Sequence, residues 1–550
     1  MVLGNPKQID LSTSLFERIR EKDCLFVDKT RFIEHFINES SDVQLIVRQR
    51  RTGKSLNMGM LRCFLTDRKD NRGLFAGACI QNSPAWTKAN SAPTFLFDFK
   101  HLGFSDFKLR LNQQIYKQLS EYIDKNKLHG YLKDRYESFI NNLYTASEGL
   151  LVLTELVYET TGKRSYILID EYDKLLMDYS DKKEYQEIKD FETLFLSAGL
   201  KGNPYLEKAL LTGVLRVSRE SLLSNLNNLQ TYDIFTDDAY VDDFGLSDAE
   251  IDELGRYFSF DKATVKEWYN GVRISGVEKY NIYSVVSYLK SSRFGNYWGR
   301  SGTIQMIAGL MDENRREALL KMMGGESVDA YVSPRISLNE LSQGPDDGAF
   351  YSLLVQAGYL ALEGIDEENY GSVRIPNKEL RLVWKEFILS YMVKNATTIR
   401  TLFDRIANLK IFDMDIEDYL SDKLSYYDIA EPEGKTAEKV YHVFVLGLLS
   451  AYEDISYKKP PLSNMESGDG RFDILLERKD YCVIFEFKSV ENASQLDAAA
   501  DAGLRQIDEK RYYAGAPKSK PLIKTAIAFY GKRCKAKSSR HEWLFPALRQ

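Results

Sequence analysis

Short apolar runs alternate with amphipathic stretches through the first half of the chain. "VQLIV" (43–47), "TFLFDF" (94–99), "YILIDEYD" (166–173) and "KALLTGVL" (208–215) are apolar on successive positions and too short for core helices. They predict strands buried on both faces. Between them, "DFKLRLNQQIYKQLSEYIDK" and "SEGLLVLTELVYETTG" repeat their apolar positions at helical spacing. Buried strands separated by helices predict a parallel α/β sheet.

From about residue 246 the pattern turns mainly helical, as in "SDAEIDELGRYF", "KATVKEWYNG", "YSVVSYLKSS" and "RREALLKMM". Residues 337–388 read as helices, two strands around a turn, then a helix, the order of a winged-helix-like module. In an acidic chain this module is expected to pack or to act as a lid rather than to bind DNA. After a linker-like "EPEGKT" (431–436), a helix "AEKVYHVFVLGLLSAYED" precedes strand-like "ISYKK" and a "SNMESGDG" turn. Paired strands "RFDILLER" and "YCVIFEFKS" follow, then a helix "NASQLDAAADAGLRQIDEKRYY" and a strand "KTAIAFYG". Three regions are therefore expected, over residues 1–245, 246–430 and 431–550.

Composition narrows this picture. A chain of 550 residues that is 44% hydrophobic can bury several cores. A net charge of −6 gives no global attraction to nucleic acid, so such a surface must be local. Residues 510–540 supply a candidate in Lys510, Arg511, Lys518, Lys520, Lys524, Lys532, Arg533, Lys535, Lys537 and Arg540. The 5 cysteines form no C-x-x-C pair, which argues against structural zinc and suits a reducing compartment. There is no basic-then-apolar start and no run of bilayer length, so a cytoplasmic protein without a membrane segment is expected.

The first candidate chemistry is "RQRRTGKS" (48–55), which follows a buried strand and opens a helix. Gly53, Lys54 and Ser55 are the parts of a phosphate-binding loop that wrap the phosphates, reach the β and γ phosphates, and ligate Mg²⁺. Arg48 stands where the first glycine of such a loop belongs. The strand "YILID" ends in Asp170 and Glu171, placed to hold Mg²⁺ through water and to orient an attacking water. Either residue alone suits a charged strand exit; with Lys54 and Ser55 they predict a P-loop NTPase-type site. Thr212 or Arg216 is a candidate sensor of the γ phosphate, and Arg216, Arg219 and Arg273 are candidate arginine fingers; all have an equally plain structural reading.

The second constellation lies near the C-terminus. Asp473 leads into one strand, and Glu486 and Lys488 alternate on the next, on the face opposite Phe485 and Phe487. Two carboxylates and a lysine on one sheet face suit metal-assisted phosphodiester hydrolysis, with Asp473 and Glu486 as metal ligands and Lys488 acting on the nucleophile. The competing reading is a surface salt-bridge ladder. Glu438 and His442 share a face of the preceding helix, where Glu438 would add a third carboxylate; Gln506 and Tyr512 lie on the following helix, within reach of the metal or a substrate phosphate.

These blocks together resemble bacterial proteins with an N-terminal AAA-ATPase-like domain and a C-terminal nuclease of the PD-(D/E)XK superfamily. "FVDKT" (26–30) is similar to that family's "YVDKT", and "RQRRTGKS" to its "RPRRFGKS", with Arg48 matching and Thr52 replacing the usual Phe. "LIDEYD", "LTGV", "NNL" (227–229), "FG" (244–245), "WYNGVR" (268–273), "AGYL" (357–360), "IPNKE" (375–379), "EKVYHVFVLGLL" and "GRFDILL…IFEFK" also look like its blocks. The resemblance implies ATP and Mg²⁺ at Lys54, Ser55, Asp170 and Glu171. It implies nuclease chemistry at Asp473, Glu486 and Lys488, with Glu438 as the glutamate of the first nuclease helix. The expectation is an ATP-binding protein controlling a Mg²⁺-dependent nuclease, with DNA favoured over RNA as partner and a homo-oligomer allowed. The alternative is an ATP-dependent switch or scaffold whose nuclease-like domain only binds.

Overall fold

The computed structural model describes residues 1–141, 143–216, 226–235, 240–298, 307, 310–334, 347–392, 403, 405–423, 445, 449, 462–463, 466–531, 533–541 and 543. The chain divides into two compact units, Met1–Ser301 with Asp329–Leu380, and Gly302–Val328 with Arg381–Gln550. Among the described residues, no helix is long and apolar enough to cross a membrane.

The first unit is built on a five-stranded parallel sheet ordered Thr94–Asp98, Ser165–Asp170, Leu206–Gly213, Val43–Val47, Leu229–Tyr232. All four apolar runs read from the sequence are strands in it, because helices cover both faces and favour apolar side chains at successive positions. Val43–Val47 and Ser165–Asp170 are buried at every residue. Between these two lies Leu206–Gly213, which pairs Thr212 with Ile46 and Gly213 with Val47. The register brings the ends of these three strands, and so Arg48, Asp170 and Thr212, to one edge of the sheet. The helix Lys54–Leu65 then runs back over the sheet, burying Met58, Met60, Leu61, Phe64 and Leu65.

Beyond the sheet the first unit is mainly helical. Ser247 and Glu250 form a reciprocal capping box that starts the helix Asp248–Leu254. Of the winged-helix-like segment expected over 337–388, residues 337–346 lie outside the described residues. Helix Asp347–Ala357 and the antiparallel strands Ala361–Glu363 and Tyr370–Arg374 follow the expected order, and Val328–Tyr331 adds a third strand beside Tyr370–Arg374. The helix Lys378–Met392 begins in the first unit and continues past its boundary at Leu380.

The second unit holds a mixed sheet ordered Leu462–Ser463, Ile474–Glu477, Cys482–Ser489, Leu522–Tyr530, Arg533–His541. Only the Cys482–Ser489 and Leu522–Tyr530 pair is parallel, which is why the helix Leu496–Glu509 is needed to join them. On one face Phe485, Phe487 and Phe529 pack with Phe412, Ile416 and Tyr419 of the helix Leu409–Lys423. Over the other lies Leu496–Glu509. The strand Arg533–His541 is absent from the sequence expectation, because "RCKAKSSRH" has too few apolar residues to signal one. Helix Leu409–Lys423 completes this edge: Glu417 accepts the Ala536 N–H at 3.0 Å, and Asp413 accepts the Ser538 N–H at 3.0 Å. The expected linker 431–436 and strand 455–459 lie outside the described residues, as does the expected helix 437–454 except for Val445 and Leu449, which are helical and buried in the core with Phe412, Ile416 and Phe485.

Candidate functional site

At the first site, Gly53 turns the chain into the helix Lys54–Leu65 with a φ of +105°. A Cβ there would meet nothing within 4 Å, so glycine serves the backbone angle and leaves open space before the helix. The first turn of that helix carries no acidic residue, and its N–H groups favour an anion. Lys54 Nζ donates to the carbonyl oxygens of Arg48 at 2.8 Å and Gln49 at 2.9 Å, so the ammonium is wrapped by its own loop. Burial lowers the Lys54 pKa to about 8, against the raising charges of Asp170, Asp173 and Glu171. An incoming phosphate would add counter-charge that offsets the lost hydration and favours the protonated ammonium.

Across the strand ends, Thr212 Oγ1 donates to Asp170 Oδ1 at 2.6 Å. This assigns Thr212 the holding of a carboxylate. Glu171 follows with a φ of +55°, a left-handed conformation that costs a non-glycine residue on the order of 1 kcal/mol. Burial, then the Asp170 charge, raise its pKa. Strain and a desolvated carboxyl at one position mark it as held for a purpose other than solubility. Ser55 is exposed at the start of the helix. Oxygen donors from Ser55 and Asp170, with water, suit Mg²⁺, which binds few protein ligands.

Asp173 was not singled out from the sequence, although it lies in "LIDEYD", three residues after Asp170. It is 1% exposed, and its Oδ2 accepts the N–H groups of Val214 at 2.8 Å and Leu215 at 2.7 Å, tying the segment after Asp170 to the end of the neighbouring strand. Nearby, Glu192 is 1% exposed, and burial, then the Asp173 charge, raise its pKa well above the ordinary value. Among the described residues neither of its carboxylate oxygens has a hydrogen-bond partner.

The loop arginines separate by environment. Arg48 is fully buried, donates to the carbonyls of Val47 and Tyr232, and lies 5.4 Å from the Phe244 ring centroid. It is a brace beneath the loop. Arg51, at φ +62°, stacks over Tyr283 at 4.4 Å. Thr52 donates to the Gln49 carbonyl at 2.8 Å and so ties the loop's turn internally. Among the candidate fingers, Arg216 pairs with buried Asp233 at 3.2 Å, Arg273 pairs with Glu278 and Glu363, and Arg219 lies outside the described residues.

At the second site, Lys488 Nζ donates to Glu486 Oε1 at 2.8 Å, and Asp473 Oδ2 accepts the Phe487 N–H at 2.8 Å. The three side chains predicted to share a face are thus brought together. Glu486 is 2% exposed, which excludes a surface salt-bridge ladder. Burial raises the Asp473 pKa, opposed by the Phe487 N–H, the Lys488 charge and a hydrogen bond with Glu486. Gln506 Nε2 donates to Tyr512 Oη at 3.0 Å, and the Tyr512 hydroxyl feels the charges of Glu486, Asp473 and Lys488. Gly503 is what permits this crowding: a Cβ on it would lie 2.8 Å from Ala526 Cβ and 3.7 Å from the Cγ atoms of Glu486 and Lys488.

The donor set fits a hard divalent cation, with Asp473 and Glu486 as oxygen ligands and water completing the shell. Among the described residues no group of three His, Cys, Asp or Glu side chains is placed to hold a metal. Glu438 and His442 lie outside the described residues.

The basic run after residue 510 changes character in the fold. Lys520 pairs with Glu477, Lys524 with Asp508, Lys535 with Glu417, Lys537 with both Asp497 and Asp501, and Arg511 with Asp469. Much of its positive charge is therefore met within the same unit, and the local patch is weaker than the sequence predicts. Lys532 lies outside the described residues.

Comparison with known proteins gives two family matches, one near each end of the chain. Residues 10–223 match the family model described as a predicted AAA-ATPase, and residues 436–539 match that of the PD-(D/E)XK nuclease superfamily. An uncharacterized protein in the vnfD 5′ region of Azotobacter chroococcum mcd 1 is 26% identical over 529 residues, covering 92% of this chain and 93% of that one.

Proposed function

We propose that this protein, an AAA-ATPase-like domain joined in one chain to a domain of the PD-(D/E)XK nuclease superfamily, binds ATP with Mg²⁺ and uses its nucleotide state to control Mg²⁺-dependent cleavage of nucleic acid, DNA before RNA. The observation that carries the nuclease reading is the desolvated grouping of Asp473, Glu486 and Lys488 on one sheet face. Bound Mg²⁺ would supply an activated water and charge stabilisation at the phosphate. Asp473 and Glu486 would hold it, Lys488 would orient the nucleophile, and Gln506 with Tyr512 would steady the substrate. At the first site Lys54 and the helix N-terminus would bind phosphates, Ser55 and Asp170 would hold Mg²⁺, and Glu171 would orient water for hydrolysis. The proposal sets the protein in the cytoplasm, where ATP and Mg²⁺ are abundant.

The test is a panel of single- and double-stranded DNA and RNA incubated with Mg²⁺ or Mn²⁺, with and without ATP. Cleavage is expected, ATP is expected to change its rate, and Asp473→Ala or Lys488→Ala is expected to abolish it. Cleavage that survives both substitutions overturns the site assignment. A second reading, a switch or scaffold whose second domain binds without cutting, is favoured by the ion pairing of the basic run. It predicts no metal affinity that depends on Glu486.

A further inference from the structure

Arg50 is the one arginine of the loop whose side chain has, among the described residues, no ion-pair, hydrogen-bond or stacking partner. Its neighbours are committed elsewhere, Arg48 to the core beneath the loop and Arg51 to the Tyr283 ring. Its side chain is half-buried, and its charge reaches Lys54. Its main chain, in contrast, is fixed. The Arg50 carbonyl accepts Asn281 Nδ2 at 3.3 Å and Trp298 Nε1 at 3.3 Å.

Both donors are themselves anchored. Asn281 caps the helix Ile282–Ser291 through the Ser284 N–H. The Trp298 N–H donates to Glu379 Oε1 at 2.8 Å, its ring meets Tyr359 edge-on at 4.6 Å, and Glu379 is 1% exposed and also accepts from Ser284 and the Tyr297 N–H. On the other side Gln49 Nε2 donates to the Val355 carbonyl at 3.4 Å, and Gly358, at φ +89°, leaves room for the Gln49 side chain. A loop residue with a clamped backbone and an uncommitted cation beside the phosphate-binding lysine is arranged to meet an anion.

We infer that Arg50 supplies a second cation, beside Lys54, to the terminal phosphate of the bound nucleotide, and that Asn281 and Trp298 are positioning residues that hold it there. This rests on the ATP reading of the first site. It accounts for two features at once: the paired state of Arg216 and Arg273, and the approach of the "AGYL" segment, through Gly358, to a loop far from it in sequence. Guanidinium is suited to the task because its planar donors match phosphate oxygens two at a time.

The experiment measures equilibrium binding of ATP and ADP, each with Mg²⁺, to the full chain and to Lys54→Ala, Arg50→Ala, Arg50→Lys and Trp298→Phe. Arg50→Ala is expected to weaken ATP about tenfold or more while changing ADP little, because a charge-assisted bond to the γ phosphate exists only with ATP. Arg50→Lys recovers part of the loss, which also controls for misfolding, and Trp298→Phe, which keeps the ring stack and deletes the donor, reduces ATP over ADP in the same direction. If the wild type binds both nucleotides, Lys54→Ala abolishes both, and Arg50→Ala leaves the ATP-to-ADP ratio unchanged, the inference is overturned and the ATP reading stands. If the wild type binds neither, or Lys54→Ala binds as the wild type does, both fall.

Discussion

Glu192 shows how much a single buried group can matter beside the phosphate-binding-loop segment. Its carboxyl is desolvated, lacks a described hydrogen-bond partner and faces the charge of Asp173, so its pKa rises on folding. For an acid whose folded pKa lies above its unfolded value, the folded state binds the proton more tightly, and stability falls as pH rises from the unfolded value toward the folded one. Glu192→Gln is expected to raise Tm at pH 7, with the gain shrinking as pH falls toward 4. Melting curves at both values check it. Arg48 and Asp173 teach a related lesson about reading residues from sequence. The motif placed Arg48 in the loop, but only the fold reveals a side chain buried against Tyr232 and Phe244 rather than facing phosphate. Asp173 stayed hidden because its partners, the N–H groups of Val214 and Leu215, lie just past the end of another strand.

Elements were legible where burial dictates pattern. Four of the five strands of the first sheet, all but Leu229–Tyr232, which is too short and too polar to signal itself, and the alternation around Glu486 and Lys488 follow from periodicity alone. Arg533–His541 did not, because an edge strand whose polar side chains find partners on two helices carries no apolar signature. Neither did the closeness of Leu496–Glu509 to the sheet, which depends on Gly503 having no side chain. Gly503→Val is expected to push that helix away from Ala526 and to destabilise the protein by about 1–3 kcal/mol, as overpacking does. Nuclease activity should fall further than the fraction folded, since Gln506 and Tyr512 ride on the displaced segment. Chemical denaturation and cleavage assays on the same preparation separate the two effects.

The whole molecule combines two polar sites, each assembled by its own sheet, in a chain with a net charge of −6. If nucleic acid is bound where the basic run lies, few phosphates can be neutralised, because Lys520, Lys524, Lys535 and Lys537 already have carboxylate partners. The log of affinity should therefore fall less steeply with the log of salt, with a slope of about −4.5 once the five ion-paired residues are set aside, against about −9 if all ten basic residues met phosphates. Titration of binding between low and physiological salt measures this. One further consequence concerns how the C-terminal sheet ends. An open strand edge is a template on which a foreign strand can lengthen the sheet, the first step toward swapped dimers and fibres. Here one end is a two-residue strand, Leu462–Ser463, and at the other Asp413 and Glu417 already occupy two of the N–H groups that an added strand would need. Carboxylates spent on the edge in this way favour a sheet that stays its own length, and they would steer any partner strand toward other surfaces.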